Sequence, residues 1–111
     1  MLKLVRNYVP AKMREQGTAC NYATAENAEL YTDLLRAKLV EEVNEFLYSN
    51  SVDELVDICT VVEAILSDLK IKEDEFKKLY ADKLSLNGGF DKKYFIILPD
   101  APQYPVENQT K

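Results

Sequence analysis

A three-residue break between two long helical patterns limits most strongly how this chain can fold. Before the break, apolar residues recur at helical spacing from about Ala25 to Tyr48, which predicts an amphipathic helix. Ser49-Asn50-Ser51 interrupts this pattern, and a second helical run starts after Ser51 and extends to about Lys70. Because the connection is so short, the two helices must be antiparallel neighbours. The sequence therefore predicts a helical hairpin within an all-α fold.

The ends of the predicted helices carry capping signals. Thr24 is the expected N-cap of the first helix, and Ser51 with Glu54 three positions later matches a capping box at the start of the second. A third helix is predicted from about Glu73 to Leu86, because Asn87-Gly88-Gly89 follows it as a glycine C-cap would. The main body is thus an antiparallel bundle of about three helices.

The remaining segments are predicted to form short arms. Lys3–Val9 is expected to be extended, Ala11–Glu15 to form a helical turn, and Tyr94–Leu98 to form a short strand or an extended arm. We predict a single domain over residues 1–111, with an N-terminal arm over 1–23 and a C-terminal tail over 99–111.

The second predicted helix is apolar on nearly every face between Ile58 and Leu69. Such a helix must be covered on several sides, and three helices of one chain provide too little cover. We therefore predict that the fold is completed by oligomerisation, as a homodimer or homotetramer, with this helix at or near the subunit interface. Cys59 lies in the apolar run and is predicted to be a buried thiol, with a disulfide to Cys20 as the less favoured alternative.

The composition excludes several kinds of function. The chain has no histidine, which removes imidazole acid–base catalysis and histidine zinc sites. Its net charge of −5 argues against binding to nucleic acid or to an anionic membrane. No stretch approaches the ~18–20 apolar residues of a membrane span. The N-terminus lacks the pattern of a signal peptide, so a cytoplasmic protein is expected.

Four carboxylates are predicted to converge where the two long helices meet. Each helix carries an acidic pair three residues apart, and residues at this spacing share a helix face. Glu42, Glu54 and Asp57 also align with apolar stripes, where carboxylates are costly unless they are paired, protonated or metal-bound. Few lysines are in position to neutralise them. The pattern predicts Mg²⁺ or Mn²⁺ held by Glu42, Glu45, Glu54 and Asp57.

Each acidic residue also has a plainer interpretation. An acidic pair on a single helix is usually a solvated face. Glu54 could serve only as a capping-box partner, and Glu41 could pair with Lys38 on the surface. The combination on two adjacent helices is what favours a metal site.

The spacing Glu42-x-x-Glu45 followed by Glu54-x-x-Asp57 resembles the ExxE…ExxD signature of the all-α nucleoside triphosphate pyrophosphohydrolases. That superfamily includes MazG-type proteins, phosphoribosyl-ATP pyrophosphohydrolase and the dimeric dUTPases. Lys3-Leu4-Val5-Arg6 and Gly88-Gly89-Phe90 further resemble the small MazG-like proteins of bacteria and phages, so the likeness covers about residues 2–98. The chain departs from that subgroup at Asn7 and Asn87, where charged residues are common, and in having only eight residues between Glu45 and Glu54.

The resemblance implies hydrolysis of a nucleoside triphosphate to the monophosphate and pyrophosphate, with Mg²⁺ bound by the four acids. Glu41 is the candidate for orienting or deprotonating the attacking water. The triphosphate needs further cations, for which Lys3, Arg6 and Lys83 are the candidates. Two alternatives remain open: a non-catalytic oligomer of the same fold that binds nucleotide or metal, and a structural oligomer whose acids are solvated.

Overall fold

A computed structural model describes residues 1–99 of the chain, and these residues form four α-helices and no strand. The all-α prediction is therefore confirmed for this part of the chain. The number of helices exceeds the predicted three because the expected turn at 11–15 is a helix that already begins at Val9. Apart from Pro99, the predicted C-terminal tail lies outside the described residues. The helices are α1 (Val9–Glu15), α2 (Ala28–Ser49), α3 (Val52–Asp68) and α4 (Glu73–Asn87).

Helix α2 begins three residues later than the sequence predicts, because Asn27 is its N-cap and not Thr24. The Asn27 side-chain oxygen accepts a hydrogen bond of 3.0 Å from the backbone N–H of Leu30. At the other end Asn50 adopts a left-handed conformation with φ of 55°, and its N–H donates to the Phe46 carbonyl at 2.7 Å. Asparagine is one of the few residues that tolerate this conformation, so Asn50 stops α2 and turns the chain.

Ser51 is the N-cap of α3, as predicted, and its hydroxyl oxygen accepts a hydrogen bond of 3.2 Å from the N–H of Asp53. The predicted capping box is wrong in its second half. The Ser51 N–H donates to the hydroxyl oxygen of Ser49 at 3.1 Å and not to the Glu54 carboxylate. Helix α3 ends at Asp68, two residues before the predicted end.

Helices α2 and α3 pack against each other as the predicted antiparallel hairpin. Near the open end of the hairpin, the Thr32 hydroxyl donates to the Asp68 carboxylate at 2.7 Å and links the start of α2 to the end of α3. Leu35 and Val61 are the buried apolar side chains of the described residues. Glu42 is also buried, with 4% of its surface exposed. The core formed by the described residues is therefore small and includes one carboxylate.

The first of two compact units contains the arm, α1, the hairpin and the start of α4, and runs from Met1 to Phe76. The predicted extended segment over Lys3–Val9 is shorter than expected, because a turn at Asn7 and Tyr8 leads directly into α1. Pro10 fits the first turn of α1, where its missing N–H has no helical partner to lose.

The second unit begins at Lys77 and contains most of α4 and the segment that follows it. Helix α4 ends one residue beyond the predicted Leu86, and its glycine C-cap is confirmed. Gly88 has φ of 79° and its N–H donates to the Leu84 carbonyl at 2.8 Å. Tyr94–Leu98 does not form a strand, and its side chains are exposed.

The outward face of α3 is less covered than the sequence predicts. Cys59 is exposed, so the prediction of a buried thiol is wrong, and both cysteines are free. Cys59 lies two positions before the buried Val61, a rotation that takes it to the opposite side of the helix. Val52, Leu55 and Val56 are exposed as well. Within residues 1–99, no helix is long and apolar enough to cross a membrane.

Candidate functional site

The acidic residues meet at the closed end of the hairpin, where α2 passes into α3. Glu42, Glu54 and Asp57 have carboxylate oxygens within 4.8 Å of one another, and so do Glu41, Glu42 and Glu45. The four acids predicted as ligands therefore converge as two overlapping groups, with Glu42 common to both. Three of these five acids come from α2 and two from α3, so the helix packing brings them together.

The buried carboxylate of Glu42 is only half satisfied. Its Oε2 lies 3.1 Å from the Lys38 ammonium, one helical turn earlier. Its Oε1 is buried without a hydrogen-bond partner, and the same holds for Oε1 of Glu54. Buried carboxylate oxygens without partners are rare in proteins because desolvating them costs free energy. A bound cation or a proton at these oxygens would remove that cost.

Glu54 lies where negative charge is concentrated. Desolvation raises the pKa of its carboxyl group above the usual range, and the negative charges of Glu45, Glu42 and Asp57 raise this pKa further. Among residues 1–99, neither Glu54 nor Glu45 has a cationic partner. This part of the cluster therefore favours any bound positive charge.

The side of the cluster that faces the N-terminal arm is already paired with cations. Lys3 lies 3.1 Å from Glu41, and Arg6 lies 2.7 Å from Asp57 and donates to the Thr60 hydroxyl at 3.0 Å. Among the four predicted ligands, Glu42 is paired with Lys38 of its own helix and Asp57 with Arg6 of the arm. The arm is distant in sequence from α3, so this pairing could not be read from helical spacing.

Lys38 is a site residue that the sequence analysis considered only as a surface partner of Glu41. It lies 3.4 Å from Glu41 and 3.1 Å from Glu42, and its side chain is mostly buried. Burial alone would lower the pKa of Lys38, but its hydrogen bond to Glu42 and the charges of both glutamates outweigh this effect and raise it. Its spacing of three and four residues from the two acids is the signal that could have identified it.

Glu41, the predicted catalytic residue, is partly buried and contacts both lysines. Burial opposes ionisation, but the hydrogen bond from Lys3 and the charge of Lys38 outweigh it, so the pKa of Glu41 is lowered. Glu41 is therefore a carboxylate at neutral pH. The fourth predicted ligand on the hairpin, Glu45, is exposed, and Lys83 is exposed on α4 in the second unit.

A pocket of about 780 Å³ lies beside the acids, between the arm, α1, α2 and α3. Its volume is within the range of ~300–1,000 Å³ found for small-molecule sites. Lys3, Arg6 and Lys38 line it together with Glu42 and Asp57. Its apolar and aromatic lining includes Tyr8, Tyr31, Leu35 and Val61. Cations, carboxylates and an apolar wall therefore share one cavity.

No protein-family model, curated protein or solved structure matches this chain. The resemblance to the MazG-like pyrophosphohydrolases therefore rests on the motifs in the sequence. In chemical terms, the site combines a carboxylate cluster with three cationic side chains beside a cavity.

Proposed function

We propose that this chain is a Mg²⁺-dependent nucleoside triphosphate pyrophosphohydrolase that acts in the clearance of nucleotides from the cytoplasm. The observation that carries the proposal is the pair of buried carboxylate oxygens without partners, one on Glu42 and one on Glu54, inside a cluster of five acids. Hard carboxylate oxygens are the ligands that Mg²⁺ and Mn²⁺ prefer. The residues present therefore fit a divalent cation.

In this proposal Glu42, Glu45, Glu54 and Asp57 hold the metal. When bound, Mg²⁺ supplies charge neutralisation for the phosphate oxygens and a lowered pKa for a coordinated water. The acids themselves keep the ion at the closed end of the hairpin, because all four come from two helices that pack against each other. Glu45 lies one turn from the buried Glu42.

The chain's own residues would position the substrate and the water. Lys3, Arg6 and Lys38 line the cavity beside the acids and would contact the phosphates, while Tyr8 and Tyr31 offer aromatic surface to the nucleoside. Glu41 is held as a carboxylate and oriented by two lysines, so it can accept a proton from the attacking water. The reaction breaks the α–β phosphoanhydride bond and releases pyrophosphate.

The proposal includes assembly into a homodimer or homotetramer. Val52, Leu55 and Val56 on α3 are exposed in the single chain, and few apolar side chains are buried. An apolar surface of this kind is typical of an interaction site. Light scattering after size-exclusion chromatography would measure the mass, and a monomer at all concentrations would contradict this part of the proposal.

The test of function is a pyrophosphate-release assay with each ribonucleoside and deoxyribonucleoside triphosphate in the presence of Mg²⁺. Turnover is expected for at least one nucleotide. Glu45→Gln and Asp57→Asn should each lower kcat by more than about 100-fold. Mutation of a residue that only hydrogen-bonds to a metal ligand already lowers metal affinity or activity by about 10- to 100-fold, and loss of a direct ligand should lower it more.

The control for these variants is Asp53→Asn, which makes the same change of charge on α3 at an exposed position outside the acidic groups. It should retain activity, and circular dichroism should report the same helical content for all variants. Normal turnover in Asp57→Asn would remove Asp57 from the metal site.

A second candidate function is a non-catalytic module that binds metal or nucleotide. The observation that favours it is the pairing of Glu41, Glu42 and Asp57 with cations of the chain itself. Binding of Mn²⁺ without pyrophosphate release from any nucleotide would support this module. An absence of Mn²⁺ binding would instead support a structural oligomer.

A further inference from the structure

The N-terminal arm pairs with two acids of the cluster, and one of them, Asp57, is a proposed metal ligand. Arg6 donates to Asp57 at 2.7 Å and to the Thr60 hydroxyl at 3.0 Å, so it contacts the first half of α3. Lys3 reaches Glu41 on α2 at 3.1 Å. The arm therefore makes one ion pair to each helix of the hairpin, across the acidic cluster.

The same arm forms one wall of the cavity. Six consecutive residues, from Lys3 to Tyr8, line the pocket of about 780 Å³, while its other walls belong to the helices. Both arm cations are more than half exposed, with 58% of the Lys3 side chain and 52% of the Arg6 side chain open to solvent. Ion pairs of such exposed side chains are weak. These two ion pairs therefore hold the arm only weakly to the hairpin.

We propose that the segment from Lys3 to Tyr8 is a cationic strap that a divalent metal displaces. This inference rests on the metal site of the proposed function but not on hydrolysis. Without metal, the Arg6 guanidinium neutralises Asp57. A divalent cation on the same carboxylate faces the guanidinium charge at short range, and like charges in a partly desolvated site repel strongly. Metal binding therefore releases Arg6 and opens the cavity beneath the arm, so metal loading precedes nucleotide entry.

The strap makes the protein's own cation a competitor of the metal. When only a fraction of the molecules is competent to bind, the apparent affinity falls in proportion to that fraction. Removing the competitor should therefore strengthen metal binding, although the variant loses a polar contact. A purely structural role of Arg6 predicts the opposite, because loosening the arm would then disturb the site.

The experiment measures Mn²⁺ binding to the full chain without nucleotide, by the electron paramagnetic resonance signal of the free ion. Arg6→Gln is compared with the parent and with Arg14→Gln, which removes the same charge from α1. Arg14 lies over the Tyr22 ring at 4.9 Å and is not part of an ion pair described in residues 1–99. Arg6→Gln should bind Mn²⁺ about 2- to 5-fold more tightly than Arg14→Gln, the range expected when an exposed ion pair is removed.

A second measurement follows the strap itself. The chain has three arginines, so the guanidinium signals can be assigned by nuclear magnetic resonance. Addition of Mg²⁺ to the parent should raise the solvent-exchange rate of the Arg6 guanidinium protons and leave that of Arg14 unchanged.

Three outcomes would overturn the inference. Equal Mn²⁺ affinity in Arg6→Gln and Arg14→Gln, with binding intact, would overturn the strap and leave the metal site in place. An unchanged solvent-exchange rate of the Arg6 guanidinium protons at saturating Mg²⁺ would likewise overturn the strap but not the metal site. A lack of Mn²⁺ binding in the parent and both variants would overturn the metal site and the strap together.

Discussion

The two ends of the α2–α3 hairpin are stabilised in opposite ways. Toward the open end, Leu35 is buried and the Thr32 hydroxyl bonds to Asp68 at 2.7 Å, so packing and a hydrogen bond both favour the fold. At the closed end, five acids crowd together, and two of their buried oxygens lack partners. The open end therefore holds the helices together. At the closed end the carboxylates repel one another, and a bound cation would relieve this repulsion.

The closed end is itself divided. On the side of the arm, lysines lower the pKa of Glu41, whereas at Glu54 desolvation and neighbouring acids raise it. The ionised form of Glu41 therefore stabilises the fold, whereas at Glu54 the protonated form does. This division separates the part of the cluster that is already neutralised from the part that is open to a metal.

The largest effect on stability is expected at the packed end. Leu35 is fully buried, with 2% of its surface exposed. Leu35→Ala should therefore leave a cavity in the core and lower the free energy of unfolding by about 2–5 kcal/mol. Urea denaturation would measure the loss. The matched control is Leu47→Ala, on the same helix at a position that is 68% exposed, which should change stability by less than about 0.5 kcal/mol. Equal losses would show that Leu35 is not part of the core.

A gain in stability is expected at the closed end when one of the repelling acids is neutralised. In the presence of a chelator, Glu54→Gln should melt at a higher temperature than the parent at neutral pH. Because the folded state raises the pKa of Glu54, its protonated form stabilises the fold below the ordinary value of 4.5, and this contribution is lost as pH rises through the higher folded pKa. The difference between variant and parent should therefore increase with pH.

With metal present, the order of the two melting temperatures should be reversed. Saturating Mg²⁺ should stabilise the parent and have little effect on Glu54→Gln, as measured by melting curves at neutral pH. If Mg²⁺ raises the melting temperature of both proteins equally, Glu54 does not bind the ion.

The smallest effect is expected on the arm side. Glu41→Gln should cost about 0.2–1 kcal/mol at neutral pH, since its ion pairs with Lys3 and Lys38 are partly exposed. The folded state lowers the pKa of Glu41, so its contribution is present above the ordinary value of 4.5 and is lost as pH falls through the lower folded pKa. The stabilities of variant and parent should therefore converge in acid, and a difference that persists at pH 2–3 would point to lost packing.

The main body of the fold could be predicted because its signals are local. Apolar spacing, the break at Ser49-Asn50-Ser51 and the glycine after α4 act within a few residues of the element they define. The start of α2 was missed because Thr24 and Asn27 are both good caps, and sequence alone did not select between them. The alignment of Glu42 with the apolar stripe correctly predicted its burial.

The sequence by itself determined the helices, the tight hairpin and the convergence of acids from α2 and α3, because the helical period and a short connection fix which side chains meet. Only the tertiary structure decided which acids the N-terminal arm neutralises. Arg6 and Asp57 are 51 positions apart, so no local rule joins them. The strengths of such charge contacts, and the pKa values they produce, depend on distance and desolvation, which exist only once the arm and helices have packed together.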